Sequence, residues 1–477
     1  MLNRRKFIQS STIVSSAFLT KGFARKPLQT LAYLNQRPAK NDRKFTSIAI
    51  DNYIENLKSR LKDKELAWLF ENCYPNTLDT TVDFEMIDNK PDTYVITGDI
   101  DAMWLRDSTA QITPYISFAK EDSKLAQLIE GVINRQKKCV LLDPYANAFY
   151  KDEKKISEWE KDYTTMKPGI HERKWEIDSL CYPIRLAYLY WKATGKKNAF
   201  DQTWLTCIQL TLDTFIAQQR KLNKGPYTFQ RSTYWATDGV PLSGYGYPVK
   251  PVGLICSIFR PSDDATIFPF LIPSNCFAVV ALNQAAEMIS AIYPGNQLAQ
   301  SCKKLAMEVD QAIKKYGIVH HEKFGKVYAY EVNGFGSINL MDDANVPSLL
   351  SLPYLGYTKA TDPVYINTRK LILSDENPFY FKGMVGEGIG GPHAGMDMIW
   401  PLSIIMRGLT ATSSVEIVQC LQQLKSTHGG TGFMHESFHK NDSKNFTRKW
   451  FAWANTLFGE LVMHVDHHQQ DLFNKMK

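Results

Sequence analysis

This 477-residue chain contains a series of amphipathic helical segments that follow one another in pairs, a pattern that few folds can accommodate. Segment 274–292 shows the pattern, because its apolar residues recur at steps of three and four until Pro294-Gly295 interrupts them. Ser274 is expected to cap the start of this helix. The next helical pattern, 296–316, begins directly after the Pro-Gly pair, which predicts two antiparallel helices joined by a short turn.

The same periodicity predicts about twelve helices, which would form six hairpins and therefore an all-α fold, an (α/α)6 toroid. They are expected near 47–72, 107–118, 121–138, 175–194, 200–222, 274–292, 296–316, 346–354, 361–373, 397–409, 412–427 and 448–466. Long loops rich in Gly, Pro and aromatic residues lie at 73–106, 139–174, 223–273, 317–345, 374–396 and 428–447. Loops of this length in a compact domain are usually functional, so we expect them to form a cleft. Short strands are expected within them, for example at 93–97 and 326–331.

Charge and composition argue against a nucleic-acid partner. The formal net charge is +7, but the first 24 residues contain four Lys or Arg and no acidic residue, which leaves +3 for the rest. A nearly neutral domain without long Lys/Arg runs lacks the basic surface that nucleic acids require. The aromatic content of 12% is high. Most of these rings are expected in the core, although some would suit a sugar cleft.

The N-terminus is typical of a targeting segment. Arg4-Arg5 resembles a twin-arginine signal, and an apolar stretch at 13–19 is followed by Gly22-Phe23-Ala24 as a possible cleavage site. The apolar stretch is too short for stable membrane insertion. We therefore expect a signal at 1–24, a linker at 25–45, a single catalytic domain at 46–477 and export, in a bacterium to the periplasm. The alternative is a disordered basic tail on a cytoplasmic protein.

The motifs that are missing narrow the chemistry. No Walker loop or GxSxG elbow occurs, and the eight cysteines show no CxxC or zinc spacing. The glycine-rich run 386–391 is not set between a strand pattern and a helix pattern, so a phosphate-binding role is not expected for it. No metal and no cofactor is therefore expected. Asp342 and Asp343 lack the spacing of a calcium loop, which leaves capping or sugar binding as their role. Many carboxylates with few histidines suit glycoside hydrolysis, in which two carboxyl groups flank the scissile bond.

Candidate residues for this chemistry are concentrated where long loops meet helices. The clusters, each dense in carboxylates, Arg, Asn or aromatic residues, lie at 97–108, 143–149, 172–179, 259–265, 341–347, 391–397 and 427–438. Adjacent side chains diverge, so one of Asp263 and Asp264 is expected to face the cleft while the other supports the loop. Burial of the carboxyl group that faces the cleft would raise the pKa of that group, as a general acid needs. Glu436 is the only carboxylate in its glycine-rich loop.

Structural roles compete with catalytic ones at several of these positions. Asp107 or Ser108 could cap the helix that follows, and Arg106 could form an ion pair with Asp107. Glu176 and Asp178 could simply favour a helix dipole. For His435 alone, a structural role is favoured over a role in the active site, because single histidines in such segments are usually structural.

Taken together, six blocks resemble glycoside hydrolase family 125, the exo-α-1,6-mannosidases. They are TGDIDAMWLRDS (97–108), DPYANAF (143–149), KWEIDSLCYP (174–183), RPSDDA (260–265), MDDANVPSLL (341–350) and GFMHESF (432–438). The resemblance implies an (α/α)6 fold, no metal, inversion of configuration and an exo-acting pocket for terminal α-mannose. The expected partner is a mannose-containing glycan, such as an α-1,6-linked mannoside, an N-glycan or a mannan.

By position, the resemblance implies Asp263 as general acid and Glu436 as general base, with Asp264 as the rival acid. The pocket residues that it implies are Trp104, Arg106, Asp107, Tyr145, Asn147, Glu176, Asp178, Asn275, Asn345 and His393. Inversion requires the two carboxyl groups to be roughly 6.5–9.5 Å apart. The alternatives are another glycosidase or a lyase on the same toroid, and a non-catalytic carbohydrate-binding protein.

Overall fold

Fourteen α-helices dominate the computed structural model, which describes residues 33–475 of the chain. They are α1 (Ile48–Arg60), α2 (Lys64–Cys73), α3 (Asn76–Thr80), α4 (Leu105–Ile112), α5 (Ser123–Leu142), α6 (Ile177–Thr194), α7 (Gln202–Gln218), α8 (Ile272–Ile292), α9 (Gln297–Ala312), α10 (Leu352–Leu355), α11 (Pro363–Ile372), α12 (Pro401–Leu409), α13 (Ser414–Thr427) and α14 (Ala452–His468). The predicted leader, 1–24, lies outside the described residues.

Twelve of these helices form six pairs arranged as a ring. Inner helices α4, α6, α8, α10, α12 and α14 are each followed or flanked by an outer helix, α5, α7, α9, α11, α13 and α2. Contacts run from α4 to α6, from α6 to α8, from α8 to α10, and from α12 through α14 back to α4. The predicted (α/α)6 toroid is therefore confirmed, and its core consists of the apolar faces between the two layers.

The ring is closed by α14, which packs against α2 and α4. Asp466 at the end of α14 receives two bonds from the Arg60 guanidinium, at 2.7 and 2.9 Å, and one from the Tyr53 hydroxyl at 3.0 Å. The hydroxyl groups of Thr77 and Thr456 form one buried hydrogen bond of 2.8 Å. Polar contacts thus connect α1 and α3 to α14 across a sequence separation of about 400 residues.

Short antiparallel strands occupy the long loops. They are β1 (Val82–Ile87), β2 (Lys90–Val95), β3 (Met103–Trp104), β4 (Ala148–Phe149), β5 (Ile170–Glu172), β6 (Phe270–Leu271), β7 (Ile318–His321), β8 (Gly325–Tyr328), β9 (Glu331–Val332), β10 (Ile338–Asn339), β11 (Tyr380–Lys382), β12 (Glu387–Ile389), β13 (Met398–Ile399), β14 (Ser437–His439) and β15 (Asp442–Thr447). Three sheets have three strands each, in the orders β3-β4-β5, β10-β9-β6 and β13-β14-β15. Strands β3, β6 and β13 lead directly into inner helices α4, α8 and α12, and so fix the loops at that end of the ring.

Most predicted helices are present, but four details differ. The predicted helix 47–72 is two helices, because the chain is extended at Leu61 and Asp63 caps α2 by accepting from the backbone N–H groups of Glu65 and Leu66. The helix predicted at 107–118 starts at Leu105 and becomes 3-10 at Thr113-Pro114, where proline lacks the N–H of an α-helical bond.

The other two differences lie in the inner helices α8 and α10. Helix α8 begins at Ile272 with Pro273 in its first turn, so Ser274 lies inside the helix and is not its cap. The helix predicted at 346–354 is reduced to the single turn α10, because Asp342 accepts the backbone N–H groups of Leu349 and Leu350 and holds that segment as a loop.

Ion pairs hold the segment before α1 to the domain, and the most apolar helix, α8, is buried within the domain. Arg37, which lies in the segment predicted as a linker, is paired with Asp79 at 2.7 Å and with Asp51 at 2.9 Å. Helix α8 is long and apolar enough to cross a membrane by length and composition, but 61% of its 18-residue window is buried in the protein. Its contacts with α6 and α9 are those of a core helix.

Replacing Asp466 by Asn tests the ring closure. The loss of the charge-assisted bonds from Arg60 is expected to lower the free energy of unfolding by about 1–3 kcal/mol in urea denaturation at neutral pH. Although burial raises the pKa of Asp466, the bonds from Arg60 and Tyr53 hold it below the usual 3.8. The stabilisation is therefore present above pH 3.8 and is lost as the pH falls through the lowered pKa.

The matched control is Lys314→Ala, which breaks an exposed pair with Asp310 on the outside of the ring. This change is expected to cost less than about 0.5 kcal/mol. Equal losses of unfolding free energy in the two variants would show that the contact between α1 and α14 has no special role in stability.

Candidate active site

The candidate residues converge because each carboxylate-rich loop precedes an inner helix. Residues 97–104 lead into α4, 172–176 into α6, 259–271 into α8, 341–351 into α10, 391–400 into α12 and 432–451 into α14. The N-termini of the six inner helices therefore share one end of the toroid with these loops. The partial positive charge of a helix N-terminus stabilises carboxylates placed there.

Arg106, in the first turn of α4, is the centre of the polar network. Its Nη1 donates to Glu176 Oε2 at 2.5 Å and to Asp178 Oδ2 at 3.2 Å. Its Nη2 donates to Asp263 Oδ1 at 3.3 Å, and its Nε lies 3.5 Å from Asp107 Oδ2. The guanidinium is 3% exposed, so four carboxyl groups from three segments meet one buried cation.

Glu176 and Asp178 lie at the start of α6, where the sequence leaves open a purely helix-stabilising role. Glu176 occupies the N-cap position without capping the helix through its side chain, and Asp178 is in the first turn. Both are completely buried. Glu176 Oε2 also accepts the Ser179 hydroxyl at 2.8 Å, so these acids bind Arg106 and neighbouring side chains rather than facing solvent.

Asp263 is the member of the adjacent acidic pair that faces the cleft. Its φ is 66°, a left-handed conformation that is uncommon outside glycine, and it turns the side chain away from that of its neighbour. The side chain is 21% exposed. Asn147 Nδ2 donates to Asp263 Oδ1 at 3.1 Å, and Lys174 Nζ donates to the Asp263 backbone carbonyl at 2.8 Å.

Asp264 is buried behind this loop, with its side chain 1% exposed. The Ser262 hydroxyl lies 3.1 Å from Asp264 Oδ2 and 2.9 Å from Asp343 Oδ2, and His393 Nδ1 lies 3.6 Å from Asp264 Oδ1. Asp343 in turn accepts from both the backbone and the side chain of Asn345. Asp264 thus supports the loop and positions His393.

Glu436 approaches from the loop before α14. Thr447 Oγ1 donates to its Oε2 at 3.0 Å, and Arg448 Nη1 donates to its Oε1 at 3.4 Å. Gly432 makes the turn possible, since its φ is 79° and a Cβ there would lie 2.6 Å from the Trp68 ring. The Glu436 side chain is 9% exposed. Arg448 also donates to Asp99, which connects this loop to the segment before α4.

His393 lies within electrostatic range of both candidate catalytic groups. Burial alone would lower its pKa, but the hydrogen bond to Asp264 and the charges of Asp264, Glu436 and Asp263 raise the pKa of His393 to about 9. It is therefore a cation at neutral pH. His435, in contrast, stacks on Phe446 at 3.7 Å, and burial lowers its pKa to about 4, which fits the structural role favoured from sequence.

The expected rise in pKa of the candidate acid is wrong for both aspartates. Burial opposes ionisation of Asp263, but Arg106 and Lys174 hold its pKa well below the usual value. The pKa of Asp264 is also lowered, through His393. Burial instead raises the pKa of Glu176 well above its usual value, and of Asp107 and Asp178 to about 6 each. The sequence pattern could not show these charges because they come from distant segments.

Of the remaining predicted pocket residues, Asn147 and Trp104 lie in or beside the polar network, whereas Tyr145 and Asn275 hold neighbouring loop segments. Asn147 joins the network through Asp263, and Trp104 packs beside His171 with its indole N–H buried and without a hydrogen-bond partner among the described residues. Tyr145 stacks on Tyr227 at 5.5 Å. The Asn275 amide binds backbone groups of Ile255 and Leu271, so it holds the loop before α8 to that helix.

Two cations of the site were not among the predicted residues. Lys174 bridges the Asp263 carbonyl and Asp238, and Arg448 bridges Glu436 and Asp99. Lys174 lies within a recognised block, between Glu172 and Glu176, so its neighbours could have pointed to it, whereas Arg448 lies beyond the last block with no carboxylate beside it in the sequence. Asp107 does not cap α4, because the helix starts before it at Leu105. Among residues 33–475 no cluster of three or more His, Cys, Asp or Glu could hold a metal ion.

Comparison with known families and structures gives a consistent result. The model of the family described as metal-independent α-mannosidase (GH125) matches residues 63–463. A metal-independent α-mannosidase from Streptococcus pneumoniae, solved in a non-productive substrate complex with α-1,6-mannobiose, superposes with a TM-score of 0.86 at 42% identity. The match covers 89% of this chain and all of that one.

A relative in fission yeast and two more distant structures extend the comparison. The meiotically up-regulated gene 157 protein of Schizosaccharomyces pombe is 44% identical over 458 residues, which are 92% of this chain and 90% of that protein. A bacterial glucoamylase with acarbose matches at 14% identity and TM-score 0.51, over 89% of this chain and 60% of that one. A Bacillus GH78 rhamnosidase matches at 11% identity and TM-score 0.52, over 85% and 35%. These last two support the toroidal fold alone.

The charge of His393 can be measured by NMR of ¹³C-labelled histidine. The His393 resonance is expected to titrate near pH 9 in the wild-type protein and at clearly lower pH in Asp264→Asn, which removes its main anionic partner. Because the folded-state pKa lies above the usual 6.5, its stabilising effect is complete below pH 6.5 and is lost as the pH rises through about 9. A wild-type midpoint at or below 6.5 would contradict the arrangement.

Proposed function

Because this chain belongs to the metal-independent α-mannosidase family GH125, we propose that it is an inverting, exo-acting enzyme that hydrolyses terminal α-1,6-linked mannose from glycans. The observation that carries the proposal is the pair of carboxyl groups at the toroid end, Asp263 and Glu436. They come from the loops before α8 and α14 and stand in different surroundings. Two carboxyl groups that flank the scissile bond are what glycoside hydrolysis requires.

Asp263 is the proposed general acid. Its side chain is 21% exposed, whereas that of Asp264 is 1% exposed and is engaged with Ser262 and His393. Only a carboxyl group that reaches the cleft can hand a proton to the glycosidic oxygen. Arg106 and Asn147 both donate to Asp263 Oδ1, which leaves Oδ2 as the oxygen that would approach the leaving group.

Glu436 is the proposed general base. Thr447 and Arg448 each donate to one of its oxygens and fix the plane of the carboxylate. It would remove a proton from a water molecule that attacks the anomeric carbon from the face opposite Asp263. A gap of roughly 6.5–9.5 Å between the carboxyl groups provides room for that water.

The substrate follows from the relatives and from the site chemistry. The S. pneumoniae relative was crystallised with α-1,6-mannobiose, and its match covers almost the whole domain. Arg106, Asp107 and His393 supply charged groups at the candidate pocket, where sugar hydroxyls would bind, and Trp104 supplies an apolar ring. The whole glycan would be an N-glycan or a mannan with a terminal mannose.

Catalysis is tested with α-1,6-mannobiose and the variants Asp263→Asn and Glu436→Gln. Each is expected to lower kcat by about 100- to 10,000-fold with little change in Tm, because each removes one proton-transfer group. Glu287→Gln, an exposed carboxyl on α8 bonded to Tyr188 and Lys192, is the matched control and should keep full activity. Near-normal rates in either catalytic variant would refute its role.

Stereochemistry is tested on the wild-type enzyme by following the reaction with ¹H NMR. β-Mannose should appear first and then mutarotate, since the attacking water enters opposite the departing α-linked group. Initial release of α-mannose would contradict inversion and would leave the assignment of Glu436 as base without support.

We also propose that residues 1–24 direct export of the folded protein through a twin-arginine route, on the strength of Arg4-Arg5 and the apolar stretch after them. The whole chain would be expressed in a bacterium with this export route. The wild-type protein is expected in the periplasm, whereas Arg4→Lys with Arg5→Lys is expected to stay in the cytoplasm. The same distribution of wild type and variant between periplasm and cytoplasm would refute this export route.

A further inference from the structure

Glu176 has one carboxyl oxygen that no described hydrogen-bond donor satisfies. Its Oε2 accepts from Arg106 and Ser179, but Oε1 is buried without a hydrogen-bond donor among residues 33–475. The Asp263 carboxyl lies within hydrogen-bonding range of the Glu176 carboxyl. Two carboxylates in such contact repel each other, whereas one carboxylic acid and one carboxylate form a strong hydrogen bond.

The charge balance around Arg106 also requires bound protons. Asp107, Glu176, Asp178 and Asp263 all lie within 3.5 Å of this one guanidinium. Lys174 and His393 add positive charge near Asp263, and Arg448 adds positive charge near Asp107. These cations are shared with other carboxylates, Lys174 with Glu172 and Asp238, His393 with Asp264, and Arg448 with Glu436 and Asp99. Leaving more than one uncompensated carboxylate in a buried cluster costs several kcal/mol, so the cluster lowers its free energy by taking up a proton.

Among the four carboxyl groups, Glu176 is the best placed to carry this proton. Asp263 accepts from Arg106 and Asn147 and has Lys174 nearby, all of which favour its charged form. Asp178 is stabilised by Arg106 and by a backbone N–H. Glu176 is enclosed by Arg106 from α4, Asp178 and Ser179 from α6, Asp263 from the loop before α8 and the nearby Tyr227.

We propose that Glu176 holds the catalytic proton in the resting enzyme and passes it to Asp263, which then delivers it to the glycosidic oxygen. This inference rests on the proposed role of Asp263 as general acid. In the step, the O–H bond of Glu176 breaks as an O–H bond forms on Asp263. That bond breaks in turn as the leaving hydroxyl forms and the anomeric C–O bond breaks.

The proton balance closes through solvent. Glu436 takes one proton from the attacking water and afterwards releases it to bulk water. Glu176 regains a proton through Asp263, because Asp263, at 21%, is the most exposed of the four Arg106 partners. Glu176 is therefore a positioning and proton-storing residue, while Asp263 is the group that contacts substrate.

Glu176→Gln separates proton supply from structure, since Gln keeps the volume and can donate an N–H bond to Asp263 but cannot release the proton. With α-1,6-mannobiose, whose leaving group needs protonation, kcat is expected to fall by about 100-fold or more. With α-mannosyl fluoride, whose fluoride needs little protonation, kcat is expected to change by less than about threefold. Equal losses on both substrates would overturn the proposal, because a structural defect does not depend on the leaving group.

Asp178→Asn is the matched control, since it removes a neighbouring buried carboxylate from the same guanidinium. It is expected to slow both substrates by similar factors. Asp263→Asn, measured with the same two substrates, separates the general-acid role of Asp263 from the proton-storage role of Glu176. If it shows no dependence on the leaving group, the proposed general acid is wrong. If it shows that dependence and Glu176→Gln does not, only the storage role of Glu176 fails.

A measurement on the wild-type protein removes any dependence on how the variants fold. Neutron crystallography of the deuterated enzyme at neutral pH is expected to place a deuteron on Glu176 Oε1, directed at the Asp263 carboxylate. A deuteron on Asp263 instead, or none between the two groups, would overturn the proposal.

Discussion

The site depends on the contact between the Arg106 guanidinium and four carboxyl groups. These groups come from the starts of α4 and α6 and from the loop before α8, so one side chain connects three of the six helix pairs. A planar guanidinium offers five N–H donors in fixed directions and therefore sets the positions of its partners as well as their charge. Because it is buried, the cluster cannot exchange these bonds for water, and the loops around it are held in one arrangement.

The toroid makes this concentration of carboxylates possible. All six inner helices begin at the end that carries the site, and the three small sheets that lead into α4, α8 and α12 hold the loops there. Helix N-termini stabilise negative charge, and the buried Lys174 and the half-buried Arg448 add full positive charges beside Asp263 and Glu436. The same cations explain why burial alone is a poor guide to the pKa of Asp263, since burial and the neighbouring cations act in opposite directions.

Much of the site was predictable because its residues occur in compact blocks. Asp263, Asp264, Glu176, Asp178, Arg106, Asn147 and His393 were all identified from sequence, and the structure brings them into one network. Properties that depend on neighbours far away in the chain could not be predicted from these blocks. Asn275 holds backbone at the start of α8, and the expected rise in pKa falls on Glu176 rather than on either aspartate of the 260–265 block.

The paired helices, the order of the blocks and hence the toroid and the family could be predicted from the sequence, because apolar periodicity and local motifs are properties of short segments. The position of Asp263 at the cleft, the supporting role of Asp264 and the single turn in place of one predicted inner helix could be seen only in the folded protein. Exposure and electrostatic interaction depend on distances between segments more than 100 residues apart, as for Arg106 and Asp263. Such distances are set by packing and are not written in any local pattern.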